Sequence, residues 1–444
     1  MRTRPTISWS DLAGSSVGLW GLGIEGGANL RRLRAAGIRP TLVDDDPAGA
    51  DGGGLPVLAT AQGGLEALAR CEVVVKTPGI SRYRSDAVAL VAGGVAVVGG
   101  LGLWMQEVDR SRVVCITGTK GKSTTTAIVG HLLGALGHRC LVAGNIGRPP
   151  YDPEVGGDYD FWAVETSSFQ ATDLAASPPV VAVTSLHPDH LDWHGDVDTY
   201  YRDKLSACSQ PGAALSVVNG DSDELRTRSA LLGPAVHWVQ AAAPGGGWAD
   251  ALGLVGEHNR RNALIARACL EALGIAEASD GAALEAAAKG FAPLDSRLRT
   301  IGELGGVAFV DDSLSTNALS VVAALDTFDG GPLALIVGGQ DRGVDYAELG
   351  DRVRDRSQPT LVITVPANGP RIGAAVLTAD PGATVVDCED LDAAVAAAYA
   401  WAAPRLATVL LSPGAPSFGQ FANYQARAVA FAGAMRALEG SAVS

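Results

Sequence analysis

Thr117-Gly118-Thr119-Lys120-Gly121-Lys122-Ser123-Thr124-Thr125 is the stretch on which the reading of this chain turns. A short apolar run, Val113 to Ile116, leads into it, and a helix-like stretch, Ala127 to Leu136, follows. Strand, glycine loop and helix start together make a cradle for phosphate. The glycines let backbone N–H groups turn inward, and the helix N-terminus adds partial positive charge. Lys122 can reach a terminal phosphate, and the Ser123 hydroxyl can bind magnesium. The loop is shorter than the common G-x-x-x-x-G-K-[ST] form, because position 116 is Ile rather than Gly. The bland alternative is a Gly-Lys turn at a helix start. The flanking strand and helix favour ATP, expected on Gly118, Thr119, Lys120, Gly121, Lys122, Ser123 and Thr124.

Upstream, Ser16 to Leu19 runs into Gly21-Leu22-Gly23-Ile24-Glu25-Gly26, then a helical run to Ala36, then Pro40-Thr41-Leu42-Val43-Asp44. This β-G-x-G-x-x-G-α-β order, with an acid 18 residues after the last glycine, reads as a Rossmann-type half. The turn binds any diphosphate, so it does not by itself specify a dinucleotide. A further strand, Glu72 to Val75, ends in Thr77-Pro78-Gly79-Ile80, at a carboxyl strand end where ligands lie. Downstream of the phosphate loop, Phe161–Glu165, Val180–Ser185 and Ala214–Val218 read as strands between helices. From near Pro293, Val307–Val310, Leu333–Val337, Thr360–Val365, Thr384–Val386 and Thr408–Leu411 repeat the alternation. The stretch Ala241–Gly247 reads as a surface loop. The expected architecture is α/β in three domains: residues 1–100 Rossmann-like, 101–294 P-loop ATPase-like with a parallel sheet, and 295–444 again Rossmann-like.

A chain of 444 residues with 47% apolar content can bury two or three cores. Net charge of −14 argues against non-specific nucleic-acid or anionic-membrane binding, although local N–H groups can still hold an anion. The six cysteines form no C-x-x-C pair and read as buried thiols in a reducing compartment. No stretch reaches the ~18 apolar residues of a membrane helix. A soluble, cytoplasmic protein with no nucleic-acid or membrane partner is expected.

Several constellations carry chemistry. Glu165 ends an apolar strand and precedes Thr166-Ser167-Ser168-Phe169-Gln170. A carboxylate there, beside a phosphate loop, suits magnesium, and the hydroxyls suit a helix cap. His187-Pro188-Asp189-His190-Leu191-Asp192-Trp193-His194 invites a zinc reading, but no thiolate or H-E-x-x-H spacing accompanies it, and a magnesium-linked histidine fits an ATP site better. Lys204, taken alone, is a helix-face lysine. Glu257-His258-Asn259-Arg260-Arg261-Asn262 opens an Ala-rich helix, where Asn259 and Asn262 could read an adenine edge. Arg297, at the apparent domain junction, suits a γ-phosphate across a cleft that closes. Asp311-Asp312-Ser313-Leu314-Ser315-Thr316-Asn317, Gly338-Gly339-Gln340-Asp341-Arg342-Gly343 and Ser412-Pro413-Gly414-Ala415-Pro416-Ser417 each follow a strand. An oxidoreductase built on Gly21–Gly26 would leave the phosphate loop unexplained and has no Tyr-x-x-x-Lys pair. A non-catalytic ATP switch would not need Lys122, Glu165, His190 and Lys204 together.

In order and over nearly the whole length, these residues resemble the Mur ligase family, the cytoplasmic enzymes that build the peptidoglycan peptide. The likeness rests on the T-G-T-x-G-K-S-T loop, Gly144-Asn145-Ile146-Gly147, Glu165 to Gln170, Asp189-His190, Lys204, His258-Asn259, Arg297 and Asp312-Ser313. Gly-Asn-Ile-Gly, Ser-Ser-Phe-Gln and the Ser412-Pro413…Ser417…Phe421…Asn423-Tyr424 ending are similar to the glutamate-adding branch. The resemblance implies that ATP phosphorylates the carboxylate of UDP-N-acetylmuramoyl-L-alanine and that the glutamate amine displaces phosphate. It implies Lys122, Glu165, His190, Lys204 and Arg297 as catalytic, with Asp312 joining the ATP contacts. Ser123 and Glu165 would hold one Mg2+; His190 and Lys204, the latter as a carbamate formed with carbon dioxide, would help hold another. Ile24, Glu25, Asp44, Gly79, Asn145 and His190 would bind the UDP substrate. Thr316, Arg342, Ser417 and Tyr424 would bind glutamate.

Three departures fall where the amino acid is chosen. The usual D-S-K-A-T-N is Asp312-Ser313-Leu314-Ser315-Thr316-Asn317, without the lysine; the usual lysine near the incoming glutamate is replaced by Arg342; and the usual L-P-H-R is Pro293-Leu294-Asp295-Ser296-Arg297. An arginine fork clamps a carboxylate differently from an ammonium. These changes resemble a subgroup that adds L-glutamate, whose product an epimerase then inverts, with D-glutamate as the alternative. On the uridine side, Asp44-Asp45-Asp46 lacks the basic residue often found there.

Overall fold

A computed structural model describes residues 4–441, apart from 244, 255, 293, 294, 342 and 418, and apart from the side chains at 192 and 439–441. Two compact units form, Met1–Phe291 and Ala292–Ser444. Among the described residues they carry three sheets.

The first sheet holds β1 (Val17–Trp20), β2 (Thr41–Asp44), β3 (Val57–Ala59), β4 (Val73–Lys76) and β5 (Ala96–Gly99), all parallel, in the order β3-β2-β1-β4-β5. The second holds β6 (Val113–Thr117), β7 (Cys140–Gly144), β8 (Phe161–Glu165), β9 (Val180–Val183), β10 (Leu215–Asn219) and β11 (Val236–Val239), all parallel, in the order β11-β10-β9-β6-β8-β7. In the Ala292–Ser444 unit lie β12 (Arg299–Leu304), β13 (Val307–Asp311), β14 (Leu333–Val337), β15 (Thr360–Thr364), β16 (Thr384–Asp387) and β17 (Thr408–Leu411), ordered β12-β13-β17-β14-β15-β16. Only β12 of this sheet pairs antiparallel. The expected α/β architecture is thus the one that forms.

The central strands are continuous apolar runs because helices cover both faces of a parallel sheet. Every residue of β1, β4, β6, β9 and β14 is buried. The helix after the phosphate loop begins at Lys122, five residues before the expected Ala127. Its β-branched threonines are accommodated rather than helix-breaking: Thr126 Oγ1 donates back to Lys122 O at 2.8 Å. β9 stops at Val183 instead of Ser185, because Thr184 and Ser185 turn toward the phosphate loop.

One apolar core runs from the first sheet to the central one, joining Trp9, Leu19 and Trp104 with Val164, Leu186 and Tyr200. A buried ion pair, Lys76 Nζ to Asp173 Oδ2 at 2.5 Å, crosses the same seam. The opposite face of the central sheet packs against the helices Lys122–Ala135 and Glu257–Ala272.

Candidate active site

Register places the site. β6 pairs with β8 so that Ile116 lies opposite Glu165, and with β9 so that Thr117 lies opposite Val183. The phosphate loop therefore leaves β6 between two other strand exits, where the sheet order reverses and α/β sheets bind ligands. Gly118 (φ +137°) and Gly121 (φ +86°) shape it. Thr119 N donates to Ser185 O at 2.9 Å and Lys120 N to Ser185 Oγ at 2.7 Å. Lys122 Nζ donates to Thr119 O at 3.0 Å. Asn259 and Asn262 are buried at the start of the Glu257–Ala272 helix, and a Cβ on Gly121 would come within 2.6 Å of Asn262 Oδ1. Both asparagines expected at the ATP site thus belong to a helix end that lies on the loop.

Glu165 is 1% exposed. Its Oε1 accepts from Asn145 Nδ2 at 2.7 Å, while its Oε2 is buried without a hydrogen-bond partner. A buried carboxylate oxygen without a partner is costly, and a cation would satisfy it. Ser167 caps the next helix turn in a reciprocal box with Gln170.

Lys204 lies on the helix Val197–Leu205, buried, with Nζ donating to Gly118 O at 3.0 Å across 86 residues of sequence. Burial holds its amine well below the ordinary lysine value; Lys122 and Lys120 push the same way, and Asp189 and Glu165 oppose them. His190 adopts a left-handed backbone (φ 53°) at the start of the turn Leu191–His194, with its ring 4.9 Å from Phe169. Burial lowers its pKa against the raising effect of Asp189. Burial pushes the Asp189 carboxyl up, but Lys120, His190 and Lys204 outweigh it and hold it low. Lys122, Glu165, His190 and Lys204, scattered in sequence, thus share one electrostatic neighbourhood. His194 instead hydrogen-bonds Asp203 and Ser168.

In the first sheet, Ile24 is 83% exposed at the start of its helix. Asp44 Oδ2 accepts from Leu22 N at 2.6 Å and so braces the glycine turn. Gly79 lies in the loop after β4. Glu25 accepts from Gln170 Nε2 and Tyr151 Oη, across the seam to the central domain, and burial pushes its carboxyl up to about 7.

In the Ala292–Ser444 unit, Asp312 is buried, accepts from Ser412 Oγ at 2.7 Å, and is pushed up to about 7 by burial, with Arg297 pulling the other way. Thr316 follows β13, Ser417 follows β17, and Tyr424 opens the helix Tyr424–Ser441. Arg342 lies outside the described residues. Arg427, which motif reading missed, is 3% exposed and donates to Ser313 O at 2.8 Å and Ala415 O at 3.0 Å, tying the exits of β13 and β17. The available signal was a basic residue in the first turn of a helix rich in Ala. The contacts of Asp203 and of Gln170, the latter quoted above only as part of a motif, were not foreseen, because their partners Tyr83 and Glu25 lie far away in sequence.

Comparisons with known proteins identify the family and the fold. Residues 116–239 match the Mur ligase middle domain and 296–414 the Mur ligase glutamate ligase domain. The chain is 39% identical to a UDP-N-acetylmuramoyl-L-alanine--L-glutamate ligase of Xanthomonas euvesicatoria pv. vesicatoria, over 95% of each chain. It is 38% identical to a ligase of the same name from Micromonospora sp., over 97% of this chain and 98% of that one. Among solved structures, UDP-N-acetylmuramate-alanine ligase MurC from Thermotoga maritima matches with a TM-score of 0.56 at 17% identity, over 96% of this chain and 100% of that one. MurF ligase from Thermotoga maritima in complex with ADP matches with a TM-score of 0.54 at 14% identity, over 98% of each. At such identities the solved structures speak for the fold, whereas the curated relatives run alongside nearly the entire sequence, and by that likeness the chain belongs to the Mur ligase family.

Proposed function

We propose that this protein is an ATP-dependent amide ligase that joins L-glutamate to UDP-N-acetylmuramoyl-L-alanine in peptidoglycan precursor synthesis. The observation that carries the chemistry is the meeting of Lys204 with the phosphate loop beside Glu165, whose Oε2 has no partner. The L isomer is supported by the names of the 38–39% identical relatives and by the departures around Leu314 and Arg342.

A carboxylate resists amines because its oxygen is a poor leaving group. Transfer of the γ-phosphoryl group forms a C–O–P link on the alanyl carboxylate, breaks the bond to ADP, and leaves an acyl phosphate. The glutamate nitrogen adds to the carbonyl carbon, loses a proton, and expels phosphate as the amide forms. The residues must offset dense negative charge throughout. The phosphate-loop N–H groups and Lys122 do so at the β- and γ-phosphates, and Arg297 is the further cation assigned to the transferring group. Asn259, Asn262 and Asp312 are assigned to the nucleoside end of ATP. Magnesium fits the donor set: Ser123 and Glu165 would hold one ion, and His190 with a carbamate on Lys204 a second. Bound there, Mg2+ would supply positive charge to offset that of the phosphates. A neutral amine is the form that attacks carbon dioxide, and burial shifts Lys204 toward it.

Residues 1–100 are assigned to the UDP substrate through Ile24, Glu25, Asp44 and Gly79, with Asn145 and His190 from the central domain. Residues 101–294 are assigned to ATP. Residues 295–444 are assigned to glutamate through Thr316, Arg342, Ser417 and Tyr424. An L-glutamyl product requires later inversion at that centre, so an epimerase is the functional partner. Among the described residues no helix is long and apolar enough to cross a membrane, and the use of ATP with a soluble nucleotide-linked substrate supports a cytoplasmic reaction.

The test supplies UDP-N-acetylmuramoyl-L-alanine, ATP and Mg2+ with L- or D-glutamate separately and follows phosphate release. Turnover that needs both the nucleotide substrate and L-glutamate is expected. Preference for D-glutamate would overturn the isomer assignment alone; no turnover with either would overturn the ligase.

A further inference from the structure

Tyr83, Asp203, His194 and Ser168 form a hydrogen-bonded chain that the reaction above does not use. Tyr83 Oη donates to both Asp203 oxygens at 2.8 Å. His194 Nδ1 lies 2.7 Å from Asp203 Oδ2, and its Nε2 lies 3.0 Å from Ser168 Oγ. Burial, reinforced by the Asp203 carboxylate, pushes the Tyr83 phenol up, so it remains a donor. The Asp203 carboxylate is thus met from both sides, by the Tyr83 hydroxyl and by His194 Nδ1. Serine, histidine and aspartate in this order compose a hydrolytic triad elsewhere. Here Ser168 is 2% exposed and opens a helix turn, which shuts its oxygen away from a substrate.

The two ends of the chain matter more. Tyr83 belongs to the loop after β4, which also carries Gly79. The same loop meets the histidine segment twice more: Ser81 Oγ donates to Trp193 O at 3.0 Å, and Trp193 Nε1 donates to Pro78 O at 3.2 Å. Trp193 stacks on Phe169 at 4.6 Å, and Phe169 meets the His190 ring at 4.9 Å. At the other end, Asp203 is the helical neighbour of Lys204, and Ser168 is three residues past Glu165. We propose that Asp203 and His194 are positioning residues that lock the loop after β4 to Lys204 and to the Glu165–Ser168 turn, so that the seat of the nucleotide substrate and the metal-holding groups are set as one piece. This inference rests on the ligase reading.

The experiment uses full-length Tyr83→Phe, His194→Ala and His194→Asn. Phenylalanine keeps the edge contact with Trp193 (5.9 Å between ring centroids) and deletes only the hydroxyl. Asparagine restores a donor near the Nδ1 position. Y83F is expected to lower kcat by about tenfold and to raise KM for the nucleotide substrate, leaving KM for glutamate within about twofold. H194N is expected to recover most of what H194A loses. Amide hydrogen exchange supplies a readout independent of turnover: in Y83F, exchange in 77–84 and in 189–204 should accelerate together. Acceleration confined to 77–84, an unchanged kcat, or H194N as impaired as H194A would each overturn the coupling. A wild-type protein without turnover whose Y83F exchange still rises in both segments would instead sink the ligase reading alone.

Discussion

Replacing Gly118 by alanine tests the site at its tightest point. An added Cβ would sit 2.2 Å from Thr184 Oγ1, 2.9 Å from Ser185 N and 3.0 Å from Thr184 N, at a φ of +137°. Two of these neighbours are backbone. Thr184 Oγ1 is itself engaged, donating to Thr117 O at 3.1 Å and also contacting Lys120 O. The turn after β9 must therefore move off the phosphate loop. The backbone term is ~1–3 kcal/mol and the overpacking term ~1–3 kcal/mol, giving ~2–6 kcal/mol in all. Gly137 is the control: its φ is +92° and nothing lies within 4 Å of an added Cβ, so only a backbone term of ~1–2 kcal/mol applies. A difference of ~3 kcal/mol at an m-value of ~3 kcal/mol/M separates the urea midpoints of the two variants by ~1 M. Gly118 O is also the acceptor for Lys204, so a loop displaced by ~1 Å should reduce turnover ~100-fold. Urea unfolding, ATP calorimetry and phosphate release measure the three effects. G118A with the midpoint of G137A and the turnover of wild type would refute the packing argument.

Two further outcomes follow from buried charges. Because the folded Lys204 amine titrates below its ordinary value, the unfolded chain binds a proton that the folded chain does not; the resulting penalty is full below the folded pKa and shrinks as pH rises toward ~10.5. Lys204→Met should therefore stabilise the protein in carbon-dioxide-free buffer at pH 7, by ~1–3 kcal/mol, and less at pH 9.5, while lowering turnover by more than ~100-fold. Urea melts at the two pH values settle it, and an equal gain at both would contradict the assignment. Glu25 has the opposite sign: a carboxyl raised to about 7 favours folding below its unfolded value and loses that contribution as pH rises through 7. Glu25→Gln keeps an oxygen for Gln170 and should match wild type near pH 4.5 yet exceed it by up to ~3 kcal/mol at pH 8. Parallel stability curves for the two proteins would dismiss it.

The phosphate loop, the glycine turn of the first domain and the buried central strands were legible because their signals are local: a motif of nine residues, or an apolar run bounded by turns. Phe161–Glu165, Leu333–Val337 and Thr408–Leu411 were read with the bounds that form. The strands that escaped notice lie toward sheet edges. β3, β5, β7 and β11 are short and partly exposed, and β12 is a polar edge strand whose alternation a parallel pattern does not anticipate. In the site, residue types were readable but partners were not. Nothing local to Tyr83 points to a carboxylate 120 positions away, nor does anything near Lys204 point to a carbonyl 86 positions back. The likeness to a known family supplied roles that spacing alone left open.

The apolar core shared by Trp9, Trp104 and Val164 reaches beyond catalysis. A module seated on so much common hydrocarbon cannot be exchanged by cutting at its linker. Any chimera that grafts another nucleotide-recognising front onto this ATP-handling body must import both sides of the seam, or it will present bare tryptophan to water and precipitate.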